Sequence, residues 1–156
     1  MRRTSLIALF LVSLGWAQAS EPSTESKLAD LAMTQIQCAT FSSYIKQERF
    51  QREGKKLVEA GINNLRTFLT AVEMGRITEQ DLYSEVPMIV SMELRGGWVS
   101  KEFLAGRIYQ SIMTDAADKV HEYKSIEHFG EFRDVDLWPI EAENLYSQGN
   151  CSLLVP

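Results

Sequence analysis

The stretch KEFLAGRIYQSIMTDAADKVHEY, residues 101–123, is the longest uninterrupted helical pattern in the chain. At about 100° per residue, Leu104, Ala105, Ile108, Tyr109, Ile112, Met113, Ala116, Ala117, Val120 and Tyr123 share one arc. That arc is broader than the stripe a helix needs when it covers a core from one side. Neighbours on more than one side are required to bury it. The expectation is a central helix over about 100–123, with Ser100 as its cap and the rest of the chain folded around it.

Working outward, residues 55–74 carry the clearest amphipathic pattern. Leu57, Val58, Gly61, Ile62, Leu65, Phe68, Leu69 and Val72 lie on one side, and Glu59, Asn63, Arg66, Thr67, Thr70 and Glu73 on the other. Gly75 follows where a left-handed C-terminal residue is wanted. A first helix is expected from Thr24 or Ser26 to about Gln47, placing Leu28, Leu31, Ala32, Cys38, Ala39 and Ile45 on a common side. The intervening 46–56, KQERFQREGKK, reads as a charged hinge around Gly54. Thr78 and Asp81 have the spacing of a capped start. They open a short helix at 79–84 that Pro87 must stop. A second short helix at about 87–95 ends at Gly96 and Gly97. Residues 124–138 read as loop or irregular helix, and Pro139 as the first residue of a last helix over 139–147. Alternating strand patterns are absent. The fold class is therefore all-α, one compact helical domain of about five helices spanning 26–156.

The N-terminus has a different character. MRRTS is basic, LIALFLVSLG is an apolar run of ten, and Ala17-Gln18-Ala19 offers small residues for cleavage. This three-part pattern is that of a secretory signal peptide over residues 1–19. The apolar run is shorter than the roughly 20 residues a membrane-spanning helix needs, so no membrane span is expected after cleavage. Residues 20–25 read as a flexible leader, and periplasmic delivery is expected, with extracellular release as the alternative.

Cys38 and Cys151 are the two cysteines. In an oxidising compartment they are most simply one disulfide closing the domain. For a loop of over a hundred residues the chain-entropy contribution is about 4.7 kcal/mol. Without residues 1–19 the chain holds 14 basic and 21 acidic residues, a net charge of −7. That balance argues against nucleic acid, whose binding requires phosphate neutralisation, and admits a basic protein partner.

Opposite its apolar arc, the 101–123 helix carries Arg107, Gln110, Ser111, Thr114, Asp118 and His121. These form a candidate binding strip, with Arg107 suited to gripping a carboxylate or phosphate through two bonds. His121, Glu122, Glu127, His128 and Glu131 have metal-ligand chemistry, but ligands seven residues apart on a helix stand roughly 10 Å apart. The HExxH zinc-protease spacing is absent, as are a GxSxG nucleophile elbow and a phosphate-binding glycine loop. No catalytic residue, metal or cofactor is expected. The leading functional expectation is an exported, non-enzymatic binding or accessory protein acting through a protein surface. An inhibitor or immunity-type protein directed at a basic toxin or lytic enzyme fits the export, size, acidity and disulfide. The alternatives are a small metal-assisted or acid/base hydrolase using His121, His128 and nearby carboxylates, and a structural or chaperone-like envelope helper without a discrete site.

Overall fold

The computed structural model describes residues 24–97, 99–122 and 134–156. They form six helices, α1 (Thr24–Tyr44), α2 (Glu48–Glu73), α3 (Glu79–Ser84), α4 (Met88–Arg95), α5 (Lys101–His121) and α6 (Asp134–Gln148). A 3-10 turn over Cys151–Leu154 follows, and no strand is present among the described residues. None of the described helices is long and apolar enough to cross a membrane.

The largest interface is that between α1 and α2, and small residues make it close. An ideal Cβ on Gly61 would fall 2.8 Å from Ile36 Cγ1 and 3.2 Å from the Ala32 carbonyl oxygen. One on Gly54 would fall 2.0 Å from Ser42 Oγ. Gly54 is therefore no hinge. It lies inside α2, which begins at Glu48, and the connection shrinks to residues 45–47. Gln51 Nε2 closes that connection by donating to the carbonyls of Ser42 and Ile45, at 3.1 and 2.7 Å.

Such an approach buries polar positions of α1, and each has a partner. Thr40 and Ser42 donate to the carbonyls of Ile36 and Ala39 in their own helix, satisfying hydroxyls that burial would otherwise leave costly. Gln35 accepts from Asn64 Nδ2 at 2.8 Å and donates to the Leu154 carbonyl at 3.2 Å. It thus joins α1 to α2 and to the C-terminal turn.

α5 packs against α1, α2, α4 and α6, as its broad apolar arc demands, with α1 rather than α2 as its main neighbour. Leu104, Ala105, Ile108 and Ile112 join Ala29, Ala32, Ile36, Leu65, Phe68 and Leu69 in one core cluster. Ala116 and Val120 join Cys38, Ala39, Phe41, Leu57, Ala142, Tyr146 and Cys151 in a second. Tyr123 lies outside the described residues. α4 covers the first cluster and α6 the second. The disulfide Cys38–Cys151, with Cα atoms 5.5 Å apart, sits inside the second and ties the C-terminus to the middle of α1.

Most local signals operate as written. Thr78 and Asp81 form a reciprocal capping box, Ser100 Oγ accepts from Phe103 N, and Gly75 takes a φ of +67° at the end of α2. α1 is helical from Thr24, and residues 20–23 lie outside the described residues. Two expectations are corrected. Helix continues through 134–138, and Pro139 lies inside α6. Its missing N–H removes one hydrogen bond from the helix ladder, a cost that the packing of Ala142 and Tyr146 in the second cluster offsets. The expected signal peptide falls outside the described residues.

Adding a methyl group tests the close contact. Gly61→Ala should lower the unfolding free energy, because overpacking costs about 1–3 kcal/mol against a gain in helix propensity of roughly 1 kcal/mol. Gly106→Ala, on the exposed side of α5 with nothing within 4 Å of its Cβ, should raise it by about 0.5–1 kcal/mol. Urea denaturation of both variants measures the difference.

A pH dependence follows from the fastening of α6. Tyr146 donates to Glu53 Oε2 at 2.7 Å, and burial, then this bond, pushes its hydroxyl up to about 12. The Arg49 hydrogen bond, with that of Tyr146, holds the Glu53 carboxyl below the usual carboxylate range. The tyrosine's contribution is thus complete below its unfolded value of about 10 and is lost between there and about 12. The glutamate's contribution is lost as pH falls through its lowered value. In alkaline thermal melts, Tyr146→Phe should flatten the loss of stability above pH 10.

Candidate functional site

The sequence-predicted strip does not behave as one unit. The second half of α4 lies against the first half of α5. There Glu93 takes both ends of a clasp: Ser111 Oγ donates to Oε1 at 2.6 Å, and Arg107 Nη2 is ion-paired with Oε2. The Arg107 guanidinium also lies against Gly96, 3.0 Å from where a Cβ would stand, and 5.9 Å from the Phe103 ring centroid. Arg107 is thus engaged within the fold by the partly buried Glu93.

Gln110 and Thr114, next on the strip, are exposed and lie side by side, with Gln110 Nε2 3.4 Å from Thr114 Oγ1. Asp118 and His121 belong to the other end. His121 Nε2 lies 3.0 Å from the Tyr44 hydroxyl, and its ring sits 4.2 Å from that of Trp138. Tyr44 meets Trp138 edge-on. Burial, assisted by the negative charge of Asp118, pushes the Tyr44 hydroxyl up. This arrangement bolts α6 to α1 and α5. Of the cluster with metal-ligand chemistry, His121 and Glu122 are exposed, while Glu127, His128 and Glu131 lie outside the described residues. Among the described residues no three His, Cys, Asp or Glu side chains are grouped to hold an ion.

A further exposed surface, outside the predicted strip, lies on α4. Val90 and Ser91 are buried against α5 and its surroundings, whereas Met88 and Met92 are 76% and 61% exposed. The signal was present in the sequence: an eight-residue helix with Val90 and Leu94 on one side and Met88 and Met92 on the other is apolar twice over. Only one side can face the domain's own core. Arg95 closes the C-terminal end, its guanidinium 4.1 Å above the Tyr83 ring.

Met88 also forms a wall of an adjoining cleft of about 410 Å³ between α1, the α3–α4 corner and α5. The exposed side of α4, with Met88 and Met92, thus adjoins this cleft. No family model, curated protein or solved structure matches the chain, so the chemistry of this surface rests on its residues.

The clasp makes a measurable claim. In a double-mutant cycle, Arg107→Ala and Glu93→Ala should each destabilise the fold, with a coupling of about 1 kcal/mol for a pair only partly shielded from solvent. Denaturation in low salt reads that coupling, and additive effects would mean that the ion pair contributes nothing.

Proposed function

We propose that the protein is an exported, non-enzymatic binding protein of the periplasm that works through the outer face of the α4–α5 hairpin. In this reading it is an inhibitor or immunity-type protein directed at another protein. The observation carrying it is the pair Met88 and Met92, one turn apart, exposed on a helix whose opposite side is anchored in the core. Exposed apolar side chains in a contiguous setting mark interaction surfaces. Methionine suits such a role, because its unbranched, polarizable side chain adapts to a partner's shape. The Glu93 clasp favours rigid presentation, which lowers the ordering cost of binding.

Export is supported from two directions. The basic, apolar and small-residue segments of residues 1–19 have the order of a signal peptide, and a buried disulfide suits an oxidising compartment. Acidity agrees with a basic partner.

Affinity capture from the native envelope tests this reading. Immobilised wild-type protein should retain one partner in fixed stoichiometry, and Met92→Glu should abolish retention without changing the melting temperature. Leu153→Glu, at a still more exposed apolar residue on the C-terminal turn, should retain the partner normally. Retention by Met92→Glu would remove the α4–α5 face from the proposal.

A further inference from the structure

Gly106 is a helix-interior glycine that the packing of the chain does not explain. Glycine in such a place is unfavourable relative to alanine. At Gly54 and Gly61 there is a reason, since a Cβ would strike α1. At Gly106 a Cβ would meet nothing within 4 Å, so no contact inside the chain uses the space. Phe103, Gly106, Gln110, Met113 and Ala117 recur at spacings of three and four and therefore share one side of α5. Phe103 is 50% exposed, Gly106 and Gln110 are exposed, and Met113 and Ala117 are half-buried. None of these side chains is ionisable, although the outer side of a surface helix is ordinarily charged or polar. The flanking charges are already matched, Glu102 with Arg66 of α2 at 2.9 Å and Arg107 with Glu93 of α4.

We infer that this band docks a second copy of the chain, with the two α5 helices antiparallel. Charge selects that occupant. The chain is net negative, so two copies repel where carboxylates face each other. They can approach on an uncharged face whose borders carry matched pairs, whereas a strongly basic partner finds no carboxylate on the band itself. Shape agrees with charge. A two-fold axis midway between positions 106 and 110 sets Phe103 opposite Met113 and Gly106 opposite Gln110, each contact occurring twice. A methionine sulfur against an aromatic ring is favourable. The Gln110 side chain of one copy fills the room that Gly106 leaves on the other, a knob entering a hole. From Phe103 to Ala117 the band is roughly 21 Å long and about 10 Å wide. That is well short of the roughly 800 Å² per partner of a standard interface, so the dimer is weak and reversible. This inference goes beyond the preceding reading, which rests on Met88 and Met92 of α4.

Sedimentation velocity of the full folded protein over a range of concentrations tests it. The expected result is a monomer–dimer equilibrium that strengthens as salt screens the net negative charge. Gly106→Leu and Phe103→Glu should each weaken the dimer about tenfold or more, because a two-fold interface meets every change twice. Neither should lower the melting temperature, since both positions are exposed and Gly106 has open space beside it. Met92→Glu should leave the dimer intact. A monomer at every concentration up to millimolar, or a dimer indifferent to both α5 variants, would overturn the inference. Weakening by salt would mean charge pairing and refute the uncharged seam. A dimer lost with Met92→Glu assigns self-association to α4, and envelope capture lost with Gly106→Leu from a monomeric protein assigns the band to a different protein. Either result refutes the second copy. Capture that depends on Met92 and survives Gly106→Leu leaves the α4 reading standing whatever the fate of the dimer.

Discussion

The contact on which the structure depends is the glycine-mediated approach of α1 and α2. With Gly61 against Ile36 and the Ala32 carbonyl, and Gly54 against Ser42, α1 side chains seat directly on α2 backbone where any side chain on α2 would intervene. Three consequences follow from that proximity. Polar residues of α1 enter the core and find partners in their own backbone or in Asn64 and Leu154. The pair offers a broad platform on which α5 can lie with its wide apolar arc covered. The two ends of that platform remain open, and α4 and α6 close them.

The closures differ in kind. At one end a disulfide, the Tyr146–Glu53 bond and the Tyr44–His121–Trp138 cluster hold α6 and the C-terminal turn. Covalent and aromatic contacts there serve the fold. At the other end α4 has eight residues, too few for a helix to persist by itself. Val90 and Leu94 anchor it below, and Glu93 clasps Arg107 and Ser111 at its edge. A short helix held on two sides can expose Met88 and Met92 on the third without collapsing onto them. Stability of the first core cluster and presentation of the proposed binding surface therefore share one set of contacts.

The polar strip of α5 shows that residues sharing one helix face can have different neighbours. Its members have helical spacing, yet the fold assigns them to different tasks. Arg107 and Ser111 face α4, His121 faces Trp138 of α6 and Tyr44, and Gln110, Thr114 and Asp118 remain exposed. Periodicity reports which residues share a side. The identity of the facing element decides whether that side is spent on packing.

What the amino-acid order determined alone was local and periodic. The amphipathic arcs of residues 57–72 and 104–120, the Thr78–Asp81 box, the Ser100 cap, the glycine after α2 and the two-cysteine closure all follow from spacing and side-chain chemistry within a turn or two, or from composition. The tertiary structure decided the rest. Gly54 became a packing residue instead of a hinge because Ser42 lies across from it, and Pro139 entered a helix because Ala142 and Tyr146 are buried beyond it. Met88 and Met92 became surface because Val90 and Leu94 on the same short helix claim the core. In each case the outcome depends on burial free energy shared between residues distant in the chain, and no local pattern encodes which of two competing faces will win it.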